Sequence, residues 1–349
     1  MKSNFTSQIK YLLLVTALTF LWGCRDNDEE TTLGGLPKIE MISASVDENG
    51  QPINPLVSTE LGYANNTYII TGSGFTGLQH IYFNDLESYF NPNFVTDKTI
   101  IVTINENTPY VNGSNKLKLV TRSGTVEHDF IIAPPAPQLK GFNPVNSKDG
   151  SIVTVTGNYF VDPIVTFGDL VAEIESVSLT QMKVKLPDGA QDKKMTVKTI
   201  SGTSTWDTAV GSAIFDDKYY GTWQFESWNN HEYVTDPAGA YQGEVYIKKS
   251  ISGWDNLQSN WNYDEIVVTK YTGIQFAVKS EDEGKLQLIF NGDWSDNTEK
   301  QFTTGKDWKI VKFTWDQLGN PAAVQNISFK EFTGSSHEYY FDNFTYTID

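Results

Sequence analysis

The chain has 349 residues, with 43 acidic and 26 basic side chains, a net charge of −17 and a single cysteine. That length suits two or three domains, and one cysteine leaves no intramolecular disulfide, so each domain has to stand on its own core. The acidic balance argues against nucleic acid, whose phosphates call for lysine and arginine, and suits a neutral ligand.

Lys2 and Lys10 lead into an apolar run from Tyr11 to Trp22, too short to span a bilayer comfortably. A charged start, a short apolar stretch and a small residue at its end read as a secretory signal over residues 1–23. The run closes on Leu21-Trp22-Gly23-Cys24, which resembles a bacterial lipoprotein signal box. The resemblance implies cleavage before Cys24 and acylation of its thiol and amine, each buried methylene contributing about 0.8 kcal/mol to anchoring. Residues 24–37 form an acidic tether that begins Arg25-Asp26-Asn27-Asp28-Glu29-Glu30 and resembles the surface-export tag of Bacteroidetes lipoproteins. The expected location is the extracellular face of the outer membrane, with lipid as the attachment.

Beyond the tether the chain reads as strands. Short alternating or β-branched runs recur at Thr67–Thr71, Thr99–Ile104, Lys116–Thr121, Ile152–Thr156, Met182–Leu186, Met195–Ile200, Glu244–Lys248, Glu265–Thr269, Leu286–Phe290 and Lys309–Phe313. Glycine, asparagine, aspartate and proline separate them, a pattern of antiparallel sandwiches. The fold class expected is all-β.

The first half repeats itself. Thr71-Gly72-Ser73-Gly74-Phe75 precedes Ile81-Tyr82-Phe83-Asn84, and Thr156-Gly157-Asn158-Tyr159-Phe160 precedes Val165-Thr166-Phe167-Gly168. Each copy ends on a similar strand and turn, Leu117–Thr125 and Met195–Thr203. The glycines permit a tight turn with positive φ, and the aromatic after the turn is expected to plug the core. These segments resemble the IPT/TIG immunoglobulin-like family, which implies two tandem sandwiches, at 38–133 and 134–215. The second copy departs from the family pattern, with Tyr159 where a glycine is common. Between the copies, Pro134-Pro135-Ala136-Pro137 is a stiff, extended connection, and two sandwiches joined this way are expected to act as a spacer.

From about Phe215 the composition changes, and seven of the nine tryptophans follow. Residues 216–349 resemble the galactose-binding-like, jelly-roll carbohydrate-binding β-sandwiches at the tip of Bacteroidetes surface glycan-binding proteins. The segments carrying the likeness are Gly221–Glu226, Gln242–Lys248, Gly253–Asn256, Ile289–Asp296, Asp307–Phe313 and Tyr340–Phe344. Trp223 and Trp308, beside strands, are expected in the core, whereas Trp315 reads either way. Trp254 (SGWDN) and Trp294 (NGDWSDN) sit in turn chemistry, as do Trp228 and Trp261. A large apolar ring on a loop costs solubility unless it binds something, and indole faces stack on the C–H face of sugars. Trp254, Trp294, Trp261 and Trp228 are therefore the candidate platform. Asn256 and Asp293, then Asn229, Asn262 and Asn291, are candidates to orient sugar hydroxyls, each with an Asx turn as its alternative.

The same resemblance implies a structural Ca2+ between a glutamate after the first strand and an aspartate in the last, positions held here by Glu226 and Asp342; two unrelated carboxylates are the alternative. Nothing points to catalysis. There is no G-x-S-x-G or H-E-x-x-H motif, the histidines (His80, His128, His231, His337) are scattered, and no paired-carboxylate strand of the E-x-D-x-x-E kind is present. The expected function is non-catalytic capture of a β-linked polysaccharide, β-glucan first and then xyloglucan or β-mannan, for a polysaccharide-utilisation system. The resemblance adds a TonB-dependent transporter and a companion glycan-binding lipoprotein as partners. The competing readings are an adhesin acting through the immunoglobulin-like domains and an unrecognised hydrolase or lyase.

Overall fold

A computed structural model describes residues 35–262 and 268–348. The signal segment, Cys24 and nearly all of the acidic tether lie outside the described residues, as does most of the run expected as a strand at Glu265–Thr269. The described chain is all-β, with short 3-10 turns in place of helices. It forms two compact units, divided between Ala133 and Pro134, and three separate apolar cores.

The first unit is a sandwich of two sheets. Lys38–Ala44, Thr67–Ser73 and Thr99–Thr103 form one; Leu86–Glu87, Leu78–Phe83, Lys116–Thr121 and Gly124–Asp129 form the other, in that order. Alternation decides the facing: Tyr68 and Ile70 point inward with Ile81, Phe83, Leu117 and Leu119, and all are buried.

The second unit opens with a sandwich of the same plan. Gln138–Asn143, Ile152–Asn158, Gln181–Lys185 and Glu173–Val177 face Leu170–Val171, Ile164–Phe167, Lys194–Thr199 and Gly202–Ala209. The repeat survives in atomic detail. Gly72 lies so close to its partner strand that an added Cβ would stand 1.9 Å from the Lys38 carbonyl oxygen and 2.8 Å from the Phe75 ring; at Gly157 the same distances are 2.1 Å to Gln138 and 2.5 Å to Phe160. Both glycines lie opposite a register shift in the neighbouring strand, a bulge that brings the backbones together. Phe75 and Phe160 do plug their cores, with 0% and 2% exposure. Tyr159 adopts the left-handed φ of 63° where its counterpart Gly74 has 74°, so the departure in sequence leaves the turn unchanged. Because the contact at Gly157 is with backbone, Gly157→Ala is expected to cost about 2 kcal/mol through overpacking and to lower the melting temperature of the second unit by about 4–8 °C. Scanning calorimetry reads this directly.

The terminal sandwich completes the second unit. Its large sheet runs Lys218–Tyr219, Ala213–Asp216, His337–Thr347, Val245–Ile251, Glu232–Thr235, with Gly273–Ser280 on the other side of His337–Thr347 and Lys309–Thr314 beyond it. The small sheet runs Asn256–Leu257, Ile327–Glu331, Gly284–Phe290, Gln301–Thr304. Between them lies an aromatic core in which Phe276 packs on Phe329 at 4.9 Å and on Phe344 at 5.4 Å. Each such ring contributes about 2 kcal/mol by leaving water.

Two expectations change here. Ala213–Asp216, placed by the sequence across the end of the second immunoglobulin-like domain, pairs with His337–Thr347, and Ile214 and Phe215 enter the terminal core. The chain thus crosses between sandwiches a few residues earlier than 215. Trp308 is not a core residue. Val311 and Phe313 point inward, so residues of the opposite parity, Trp308 included, face out of the large sheet. Its ring is half-buried on that outer face, with its indole N–H donated to the Gly239 carbonyl at 3.0 Å. Trp223 is buried as expected, and Trp315 packs against the core edge, donating to the Tyr271 carbonyl.

Candidate functional site

The small sheet of the terminal sandwich gathers the exposed tryptophans. Leu257 and Phe329 point into the core, so their neighbours Asn256 and Lys330, which are cross-strand partners, point outward. The loops that flank this sheet carry four exposed rings: Trp254 59%, Trp228 58%, Trp261 46% and Trp294 40%.

Trp254 is held in an unfavourable backbone conformation. Its φ is +66°, a region that bulky L-residues avoid. Its amide donates to Glu331 Oε2 at 3.2 Å, and the same buried carboxylate accepts from the Thr333 amide at 2.5 Å and the Gly334 amide at 2.9 Å. Gly253 and Gly334 meet backbone to backbone, and the Trp254 indole lies over Gly334 with its edge against Phe332, ring centroids 5.7 Å apart. Burial raises the Glu331 carboxyl pKa, but hydrogen bonds from Thr333, Trp254 and Gly334 outweigh it and leave the group below the usual carboxylate range. Strained residues cluster at ligand clamps, and here a buried anion holds one in place.

Trp261 follows the Asn256–Leu257 strand at its other end. Its ring packs on Gly292, where an added Cβ would approach to 2.7 Å, and the Asn262 amide beside it donates to the Gln325 carbonyl at 2.7 Å. Seven residues of extended chain separate Trp254 from Trp261, at most about 24 Å. Trp228 rides on the turn Ser227–Asn229, which Asn229 staples to the same edge: its amide nitrogen donates to the Glu226 and Gln258 carbonyls, and its oxygen accepts from the Gln258 amide at 3.0 Å.

Trp294 sits in the loop that follows Gly284–Phe290. That loop folds back onto the sheet: Gln287 donates to the Ser295 carbonyl at 2.8 Å and accepts from the Asn297 amide at 2.9 Å, while Asp296 meets Lys330 at 3.3 Å. Asp293 is the loop's internal brace. Its carboxylate accepts from the Ser295 hydroxyl and amide and pairs with Lys300 at 2.9 Å, and these bonds draw its pKa down to about 2.

Several residues that the sequence offered as sugar-orienting groups are therefore structural. Asp293 is engaged within its own loop. Asn229 and Asn262 are buried, and Asn291 accepts from the Gln325 and Asn326 amides and donates to the Ala323 carbonyl. Asn256 alone of the set stands outward beside Lys330. Lys330, Phe332 and Glu331 were missed. The alternation of Ile327–Glu331 puts Lys330 on the face that Phe329 does not use, a signal present in the sequence. No local signal links Glu331 to Trp254, because the contact joins residues 77 positions apart.

The donor set does not fit calcium at Glu226 and Asp342. Asp342 is fully buried, with Oδ2 accepting from the Tyr241 and Gln242 amides at 2.8 and 3.1 Å and Oδ1 from its neighbour Asn343 at 2.6 Å. Burial, with Asp216 nearby, holds its carboxyl well above the usual range. Glu226 stands at the start of the Trp228 turn, its amide donating to the Gln258 carbonyl at 3.0 Å and its side chain making no capping bond. Among the described residues no three of His, Cys, Asp and Glu converge as a metal site, and calcium wants six or more oxygens.

Residues 137–210 match the family model described as IPT/TIG domain. A curated relative from Bacteroides ovatus, an IPT/TIG domain-containing protein, is 26% identical over 160 residues, covering 43% of this chain and 30% of the relative; the match thus spans under a third of that protein's length. Among solved structures, the surface glycan-binding protein PbSGBP-B from Prevotella bryantii aligns over 90% of this chain and 99% of its own, at 16% identity and a TM-score of 0.48. The SGBP-B from a complex xyloglucan utilization locus in Bacteroides uniformis aligns over 90% and 100%, at 16% identity and a TM-score of 0.36. Among the described residues no helix is long and apolar enough to cross a membrane.

Proposed function

We propose that the protein captures a β-linked polysaccharide at the cell surface and does not cleave it. One observation carries the reading: four tryptophans, Trp228, Trp254, Trp261 and Trp294, stand at least 40% exposed on the loops that flank one small sheet. Exposed indoles gathered in one region mark a binding surface, and they gain function when they offer flat, dry faces to sugar rings. The rigidity matters as much as the area, because a ring already fixed in its bound position loses little entropy when ligand arrives. Asn256 and Lys330, on the outer face of that sheet, supply the hydrogen bonds that set orientation.

Four exposed rings on separate loops suit a chain of several sugar units rather than a single monosaccharide. β-Glucan is the first choice of ligand, with xyloglucan or β-mannan next. Acylation at Cys24 would tether the chain to the outer membrane, with a TonB-dependent transporter and a companion glycan-binding lipoprotein as its partners there.

The test is electrophoresis in gels containing mixed-linkage β-glucan, xyloglucan or β-mannan, with a parallel assay for reducing ends. Retardation in at least one gel without sugar release is the expected outcome. Release of reducing ends would make the protein a hydrolase. Normal mobility in every gel, with binding to a protein surface instead, would make it an adhesin.

A further inference from the structure

The large sheet of the terminal sandwich carries aromatic rings that the platform does not use. Trp206, from the second immunoglobulin-like sandwich, stacks on Tyr241 with ring centroids 5.5 Å apart and planes 26° apart. Tyr241 meets Trp308 edge to face at 6.2 Å. The three rings line a cleft of about 790 Å³ between the two sandwiches of the second unit, whose lining also includes Asn158 and Gln181. From this arrangement we infer that the cleft is a second sugar-binding site, taking a stretch of the same neutral glycan on the sheet opposite the tryptophan platform. The inference rests on the glycan-capture reading and extends it from one site to two.

The junction beside the cleft is locked. Gln242 donates to the Phe142 carbonyl at 3.0 Å and to Asp216 at 3.2 Å, and accepts from the Trp206 indole at 2.8 Å. Asp216 in turn accepts from the Val145 amide at 3.1 Å, Asp217 accepts from Asn143, and Lys312 pairs with Asp207 at 2.6 Å. Those contacts already hold the two sandwiches together. Rings serving only as glue would be buried in the joint, yet Trp206, Tyr241 and Trp308 remain partly exposed around open space. Both indole N–H groups are satisfied inside the protein, Trp206 on Gln242 and Trp308 on Gly239. This fixes the orientation of the rings; Lys279 also lies over the Trp308 ring at 4.6 Å and Tyr246 meets its edge at 6.2 Å, so the ring area left exposed is what the cleft offers for stacking. A volume of this size at a domain junction, with aromatic and amide walls, has the character of a small-ligand site. Two sites on one chain would raise avidity for a long polysaccharide without tighter contacts at either.

Titration calorimetry of the full chain with cellotetraose tests this, because a short oligosaccharide reports each site separately. Gln181→Arg and Ala238→Arg block the cleft at exposed positions, one from each sandwich, and a double Trp254→Ala, Trp294→Ala variant removes the platform. The expected result is two sites per wild-type chain and one in each class of variant, with melting temperatures unchanged. A single site lost in the double variant and untouched by either arginine would overturn the cleft and leave the platform standing. Loss only with the arginines would support the cleft and sink the platform, and absence of any binding would overturn both.

Discussion

Trp254→Gly is expected to weaken polysaccharide binding by about 30-fold or more while leaving the protein at least as stable as the wild type. The binding loss follows from the ring: a tryptophan at the centre of a contact typically carries about 2 kcal/mol or more when removed, and each 1.4 kcal/mol is tenfold. The stability argument comes from the backbone. Trp254 has a φ of +66°, where an L-side chain costs roughly 1–2 kcal/mol that glycine does not. With 59% of the residue exposed, little burial is lost in exchange. Affinity electrophoresis and thermal melting together read the result. A variant that binds normally would show that the strain at this position serves no ligand, and one that melts much earlier would show that the ring is structural. Alanine at the same site is expected to lose binding equally but without the gain in stability, since its Cβ keeps the strain.

Glu331→Ala carries the second large effect, and it joins stability to function. The Glu331 side chain accepts from the amides of Trp254, Thr333 and Gly334 in a site with no solvent exposure. Leaving buried donors unpaired costs roughly 1–3 kcal/mol apiece, so the terminal sandwich is expected to lose about 3 kcal/mol and the Trp254 turn to relax. Glycan affinity falls with it although Glu331 touches no ligand. Glu331→Gln keeps one acceptor oxygen and is expected to fall between wild type and alanine. The ionised carboxylate also sets a pH dependence. Because its folded pKa lies below the ordinary glutamate value, its contribution is fully present above the unfolded pKa, about 4.3, and is lost as pH falls through the folded value. Asp293, drawn down to about 2 by Ser295 and Lys300, behaves in the same sense at the Trp294 loop. Urea titrations of wild type and Glu331→Gln between pH 7 and pH 3 should converge at the acid end; parallel curves would remove Glu331 from this role.

Local chemistry made the strands, the doubled immunoglobulin-like pattern and the loop tryptophans legible in the sequence. Side-chain alternation and turn residues act over two to five positions, so Thr67–Thr71 and Ile152–Thr156 announced themselves, and Trp254 and Trp294 stood out by their glycine and aspartate neighbours. The tertiary structure decided what long-range partners leave free. It engaged Asp293 with Lys300, spent both oxygens of Asp342 on backbone amides, turned Trp308 outward on the large sheet, and set Glu331 beneath Trp254 across 77 residues. A hydrogen bond or a buried face belongs to a pair of residues. Which members of such a set remain open to a sugar is therefore fixed only when the sheets have packed.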